Sequence, residues 1–195
     1  QALRELAIFD EKTKMHRVIF NNYQDWSTYT LSTGAGYLPV DQKVAYLAEG
    51  DATKQPQDYP TDNTIVLDSI SNTSDPRVAA YFGYSTSFGY LRESRGRHLF
   101  TNTVHERFFT GNNRNFDGAS LNLFPLAELH YLKAEAQLKK GDLSGAKATL
   151  DASVRGTNGL TTGTDAISIA GALLYEYSIE LHLNGSGGTN YCFMR

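Results

Sequence analysis

The 195-residue chain is 41% hydrophobic and 20% charged with a net charge of −3, a globular composition with material for one domain with a real core or two small ones. A pI near 5.9 gives no basic footprint for nucleic acid, and no stretch approaches the ~20 apolar residues that span a bilayer. The single cysteine, Cys192, excludes an internal disulfide but bounds the compartment only weakly.

In chain order, residues 2–26 read as helical. Leu3, Leu6, Ala7, Phe9, Met15, Val18, Ile19 and Trp26 are spaced for one apolar face, and the polar run 10–13 would break the segment into two helices. Thr33-Gly34-Ala35-Gly36 ends that pattern. Residues 44–48 are ambiguous between a short helix and a strand, and residues 50–62 read as loop. Residues 63–70, rich in β-branched side chains, predict a short strand. Asp75-Pro76-Arg77 follows. An Asp before Pro is held extended, so Asp75 can cap a turn or a following helix over 78–82, and Arg77 can pair with a carboxylate. Residues 83–117 are rich in Gly, Ser, Thr, Asn and aromatics and predict short hairpins and loops. So long an irregular stretch is usually functional or poorly ordered.

Residues 124–155 predict two helices joined by a turn at Lys140-Gly141-Asp142. Leu129, Leu132 and Ala136 form the expected stripe of the first helix; Leu143, Ala146, Leu150 and Val154 form that of the second. Gly141 suits the left-handed residue that ends a helix, and Asp142 suits the cap of the next. The small residues Ala134, Ala136, Ala146 and Ala148 allow the helices to approach closely. The four residues Leu132, Ala136, Ala146 and Leu150 are therefore expected between them. After a Gly/Thr loop at 156–163, Thr164 or Asp165 caps a third helix. Its predicted face is Ile167, Ala170, Leu174, Tyr177 and Leu181.

The hairpin resembles the second half of a tetratricopeptide repeat at Ala134, Gly141, Asp142, Ala146 and Leu150. It departs at His130, where an aromatic is usual, and at Ser153, where a second Ala is usual. A tighter resemblance is to the SusD/RagB family of outer-membrane nutrient-binding lipoproteins. Ala127-Glu128, Leu132, Ala134-Glu135-Ala136, Gly141-Asp142, Ala146 and Val154-Arg155 fit that family's motif in order. Val66-Leu67 followed by Asp75-Pro76-Arg77 supports it, as do Glu180-Leu181, Gly185, Tyr191 and Arg195. Ser186-Gly187-Gly188 departs from the family's bulky and basic residues. The resemblance covers about 63–195, and 1–62 reads as an N-terminal helix and loops. Members are usually longer and begin with a lipidated cysteine, so the chain reads as one SusD-like domain portion, C-terminal or lacking segments.

What the resemblance implies is a mainly α fold of tetratricopeptide-like hairpins, a long loop-rich flank and few short strands. It also implies a lipid-anchored protein of the cell surface that lids a SusC-type TonB-dependent transporter and passes it an oligosaccharide or peptide. No reaction, cofactor or nucleic-acid partner is expected. The alternative is a tetratricopeptide-like protein–protein interaction module, which would want more repeats and a shorter middle region; an enzyme with an unrecognised site ranks below both.

Aromatic and amide side chains together suit a sugar site, since rings stack on pyranose faces and amides bond hydroxyls; the same composition also suits aromatics that simply fill a loop-rich core. Tyr84 and Tyr90, which lie off any helical stripe, and Trp26, in the cluster Tyr23/Trp26/Tyr29, are the candidate ligand-stacking residues, with Ser85, Ser87, Arg92 and Arg95 close in sequence to the first two. The five histidines share no metal-like spacing and read as structural or surface residues. Asn113 to Gly118 echoes the start of a calcium loop, but Phe124 stands where the twelfth-position Glu belongs, so a plain turn is the simpler reading. Neither a Gly-x-Ser-x-Gly elbow nor a phosphate loop is present.

Overall fold

The computed structural model describes residues 7–10, 15–19, 40–50, 70, 72–84, 101, 103–105, 107 and 120–182. Over these residues the fold is mainly α, with short strands. Two compact units divide the chain: 1–19 with 120–195, and 20–119.

The first unit begins with β1 (Ala7–Asp10) and β2 (Met15–Ile19). They pair antiparallel, Ala7 opposite Val18 and Asp10 opposite Met15. The helix expected over 2–26 is thus replaced by strands wherever that stretch is described. Ile8, Phe9, Val18 and Ile19 are β-branched or aromatic and suit a pleated surface, and the polar run 10–13 begins on the last residue of β1, Asp10. The third strand of the sheet, β5 (Ser120–Pro125), pairs antiparallel with β2 and has an irregularity between His16 and Arg17. A strand that pairs with residues so far along the chain leaves no trace in a local helical period.

From β5 the chain enters α3 (Leu126–Lys139) directly, with Pro125 in extended conformation at its N-cap. Gly141 takes φ +78°. The Asp142 N–H donates to the Gln137 carbonyl at 2.9 Å and the Gly141 N–H to the Leu138 carbonyl at 2.9 Å, so the helix end closes as a Schellman turn. Asp142 then caps α4 (Leu143–Asp151), accepting from the Gly145 N–H at 2.9 Å. Ser153, in the place of the usual Ala, caps the single turn α5 (Val154–Thr157) and accepts from the Arg155 N–H. A second Schellman turn ends α5 at Gly159, φ +81°, with Leu160 N–H donating to the Arg155 carbonyl. Of the two expected caps, Asp165 is the one that starts α6 (Ala166–Ile179), accepting from the Ser168 N–H at 2.9 Å.

The core of this unit is Ala127, Tyr131, Ala134, Ala146, Leu150, Ile169, Ala172, Leu173, Tyr177 and Leu181. Two expected faces are corrected by it. Leu129 and Leu132 are 48% and 41% exposed, and Ala136 is exposed, so of the four residues expected between the hairpin helices only Ala146 and Leu150 are buried there. The buried face of α3 is instead Ala127, Tyr131, Ala134 and, partly, Leu138. Those residues also recur at steps of four, three and four, so period alone cannot choose between the stripes. In α6, Ile167 is 85% exposed and Ala170 and Leu174 are half-buried. Tyr177 and Leu181 of the expected face are in the core, and Ile169, Ala172 and Leu173 complete it in place of Ile167, Ala170 and Leu174. Leu150→Ala is therefore expected to cost ~2–5 kcal/mol, while Leu132→Ala stays within about 0.5–1 kcal/mol because the residue is half in water. Urea unfolding of both variants checks this; equal losses would mean that the exposed stripe is packed in solution.

The second unit contains α1 (Gln42–Ala48), which settles the ambiguity at 44–48 as helix; Asp41 caps it, accepting from the Lys43 N–H at 2.7 Å. Asp75 caps α2 (Pro76–Tyr81), with Pro76 at the start where a missing N–H is harmless. This is the expected helix begun two residues earlier. The chain runs on into β3 (Phe82–Tyr84), which pairs antiparallel with β4 (Thr103–His105). Val40 bonds Thr103 and Thr101 through its backbone at 2.8 and 2.9 Å. Of the strand expected over 63–70 only Ile70 is described, and it packs against Ala45 and Tyr46.

Candidate functional site

Tyr84 is the one candidate binding residue that the structure describes; Trp26, Tyr90 and the polar residues around Tyr90 lie outside the described residues, as do Asn113 to Gly118 and Cys192. β3 carries the chain outward. Phe82 is buried edge-on against His105, ring centroids 5.5 Å apart. Two residues later, opposite the buried Thr103, Tyr84 has 55% of its surface in water. More than half of the Tyr84 side chain is thus in water. Tyr81, at the end of α2, has the Arg107 guanidinium 4.0 Å above its ring, a cation–π contact that holds β4's end near α2.

A polar network in the first unit was not foreseen. Tyr131 of α3 donates its hydroxyl to Glu176 of α6 at 2.8 Å, and Tyr177 of α6 donates to Glu135 of α3 at 2.9 Å. The two rings meet edge to face, centroids 6.0 Å apart. Each helix therefore gives one tyrosine and receives one at a glutamate. Burial and the Glu135 carboxylate push the Tyr177 phenol far above its ordinary range, so it stays a donor. Arg155, from the family-like Val-Arg pair, closes the network. Its Nη1 donates to Glu176 at 3.1 Å, Nη2 to the Thr161 carbonyl at 2.7 Å and Nε to the Thr162 hydroxyl at 3.2 Å. The guanidinium also lies 5.7 Å from the Tyr175 ring centroid. Glu176 is fully buried, so these contacts fasten the loop after α5 to α6 and serve packing. The one hint in the sequence was Arg155; the partner, 21 residues on, is in the next helix.

Of the histidines, His105 is buried in the small sheet and His130 half-buried on α3. His16 lies in β2, and His98 is outside the described residues. His182, just after α6, is held by burial at a pKa of about 4, down from 6.5. A neutral buried imidazole binds its proton less readily than the unfolded chain does. Stability should then be full above about pH 6.5 and fall as pH drops toward about 4. His182→Asn should flatten that slope in a pH series of urea midpoints; an unchanged slope assigns it to other groups. Among the described residues no group of three His, Cys, Asp or Glu side chains is placed to hold a metal ion.

A further surface feature lies on α3. Leu126, Leu129 and Leu132 are 40%, 48% and 41% exposed, on the side of the helix away from Tyr131 and Ala134. With Ala136 they give α3 two apolar faces, of which the core takes one.

Comparison with protein-family models, with curated proteins and with solved structures found no match.

Proposed function

We propose that the chain is part of a surface-exposed, nutrient-binding protein of an outer-membrane TonB-dependent uptake system. It binds an oligosaccharide or a peptide as a lipid-anchored protein of the cell surface, presents it to a SusC-type transporter, and performs no reaction. The observation that carries this reading is the ordered motif run from Ala127-Glu128 to Val154-Arg155, lying on a helix–turn–helix in which several of its positions have a physical role. Ala134 and Ala146 are fully buried in the shared core, Gly141 and Asp142 make the turn, and Arg155 ties the hairpin to α6. The exposed Leu132 and Ala136, both motif positions, count against it, as does the exposed Ile167 on the helix that follows. Tyr84 supports the binding half of the reading, as an exposed ring on a strand rather than a core residue.

A tetratricopeptide-like protein–protein interaction module is the second reading, favoured by the leucines that α3 leaves exposed. Calorimetry against a glycan and peptide panel separates the two, with Trp26→Ala, Tyr84→Ala and Tyr90→Ala as variants. Loss of one stacking ring should weaken glycan or peptide binding about 2–10-fold, corresponding to ~0.5–1.5 kcal/mol, while the fold is unchanged. If a ligand binds and all three folded variants hold it as tightly as the parent, the site lies elsewhere. If no glycan or peptide binds and the full-length protein copurifies with no transporter, the uptake reading fails.

A further inference from the structure

We draw no further inference here: the strongest candidate, the exposed leucine stripe of α3 formed by Leu126, Leu129 and Leu132, is an unpartnered apolar helix face, and nothing in the structure shows what covers it.

Discussion

Arg155→Ala is expected to destabilise the first unit by about 3–5 kcal/mol, the usual cost of removing one partner from a buried ion pair. The side chains of Arg155 and Glu176 are 12% and 0% exposed, so water cannot take the place of the lost guanidinium at the carboxylate. The loop carbonyl of Thr161 and the hydroxyl of Thr162 lose their donor in the same step. Arg155→Lys keeps the charge but has no planar fork to reach three acceptors at once, and should recover only part of the loss. Tyr131→Phe leaves the ring packed and removes one hydroxyl bond to Glu176; it should cost about 1–2 kcal/mol, since the acceptor is charged. Urea unfolding followed by circular dichroism gives the totals, and amide hydrogen exchange shows whether α6 opens first. A cost below about 1 kcal/mol for Arg155→Ala would mean that Glu176 is not left as an uncompensated buried charge and that the pair does not hold this unit together.

The second large effect is expected at Asp75, in the other unit. Its carboxylate accepts from the Arg77 N–H at 2.9 Å, from Nε at 3.1 Å and from Nη2 at 2.8 Å, and the two side chains are 1% and 3% exposed. One carboxylate thus caps α2 and neutralises the cation two residues along. Asp75→Ala removes both functions and should cost about 3–5 kcal/mol, of which the cap accounts for ~1 kcal/mol. Asp75→Asn separates them, because the amide oxygen still accepts from the backbone while the charge of Asp75 beside Arg77 is removed. Asn should therefore recover roughly the cap and no more. Recovery of nearly full stability by Asn would show that the ion pair contributes little and that the cap is what matters. Exchange protection at the Val78 and Tyr81 amides follows the outcome in this unit independently of the first.

Local features were legible where the physics is local. Gly141 as the left-handed helix end, Asp142 and Asp75 as caps, a cap at Thr164 or Asp165, and the helix–turn–helix at 126–151 depend on a few neighbouring residues and on backbone groups that those residues satisfy. Which face is buried was not legible for α3 and only in part for α6, while Ala146 and Leu150 of α4 are inside as their spacing predicts. α3 has apolar residues on two sides, Leu129 with Leu132 on one and Tyr131 with Ala134 on the other, and hydrophobicity ranks the leucines first. The structure buries the tyrosine side because Tyr131 fits edge-on against Tyr177 and its hydroxyl finds Glu176. Neither partner can be known from α3 alone. The same holds for α6, where Ile167 lies beyond the reach of the hairpin and Ile169 fills its place in the core.

The candidate site divides in the same way. An aromatic off any stripe, in a segment without helical period, was enough to nominate Tyr84, and β3 leaves its ring half in water. The Arg155–Glu176–Tyr131 network was hidden, because buried charges resemble solvated ones in sequence until their partners meet. By itself, then, the sequence determined the hairpin, its turn and its caps, since these are set by short-range backbone hydrogen bonding and by the conformational freedom of glycine. Only the tertiary structure decided that residues 7–10 and 15–19 are strands, which side of α3 and α6 faces inward, and which carboxylate Arg155 meets. Those outcomes rest on contacts between segments distant in the chain, and such contacts override local propensity because they remove apolar surface and buried polar groups from water together.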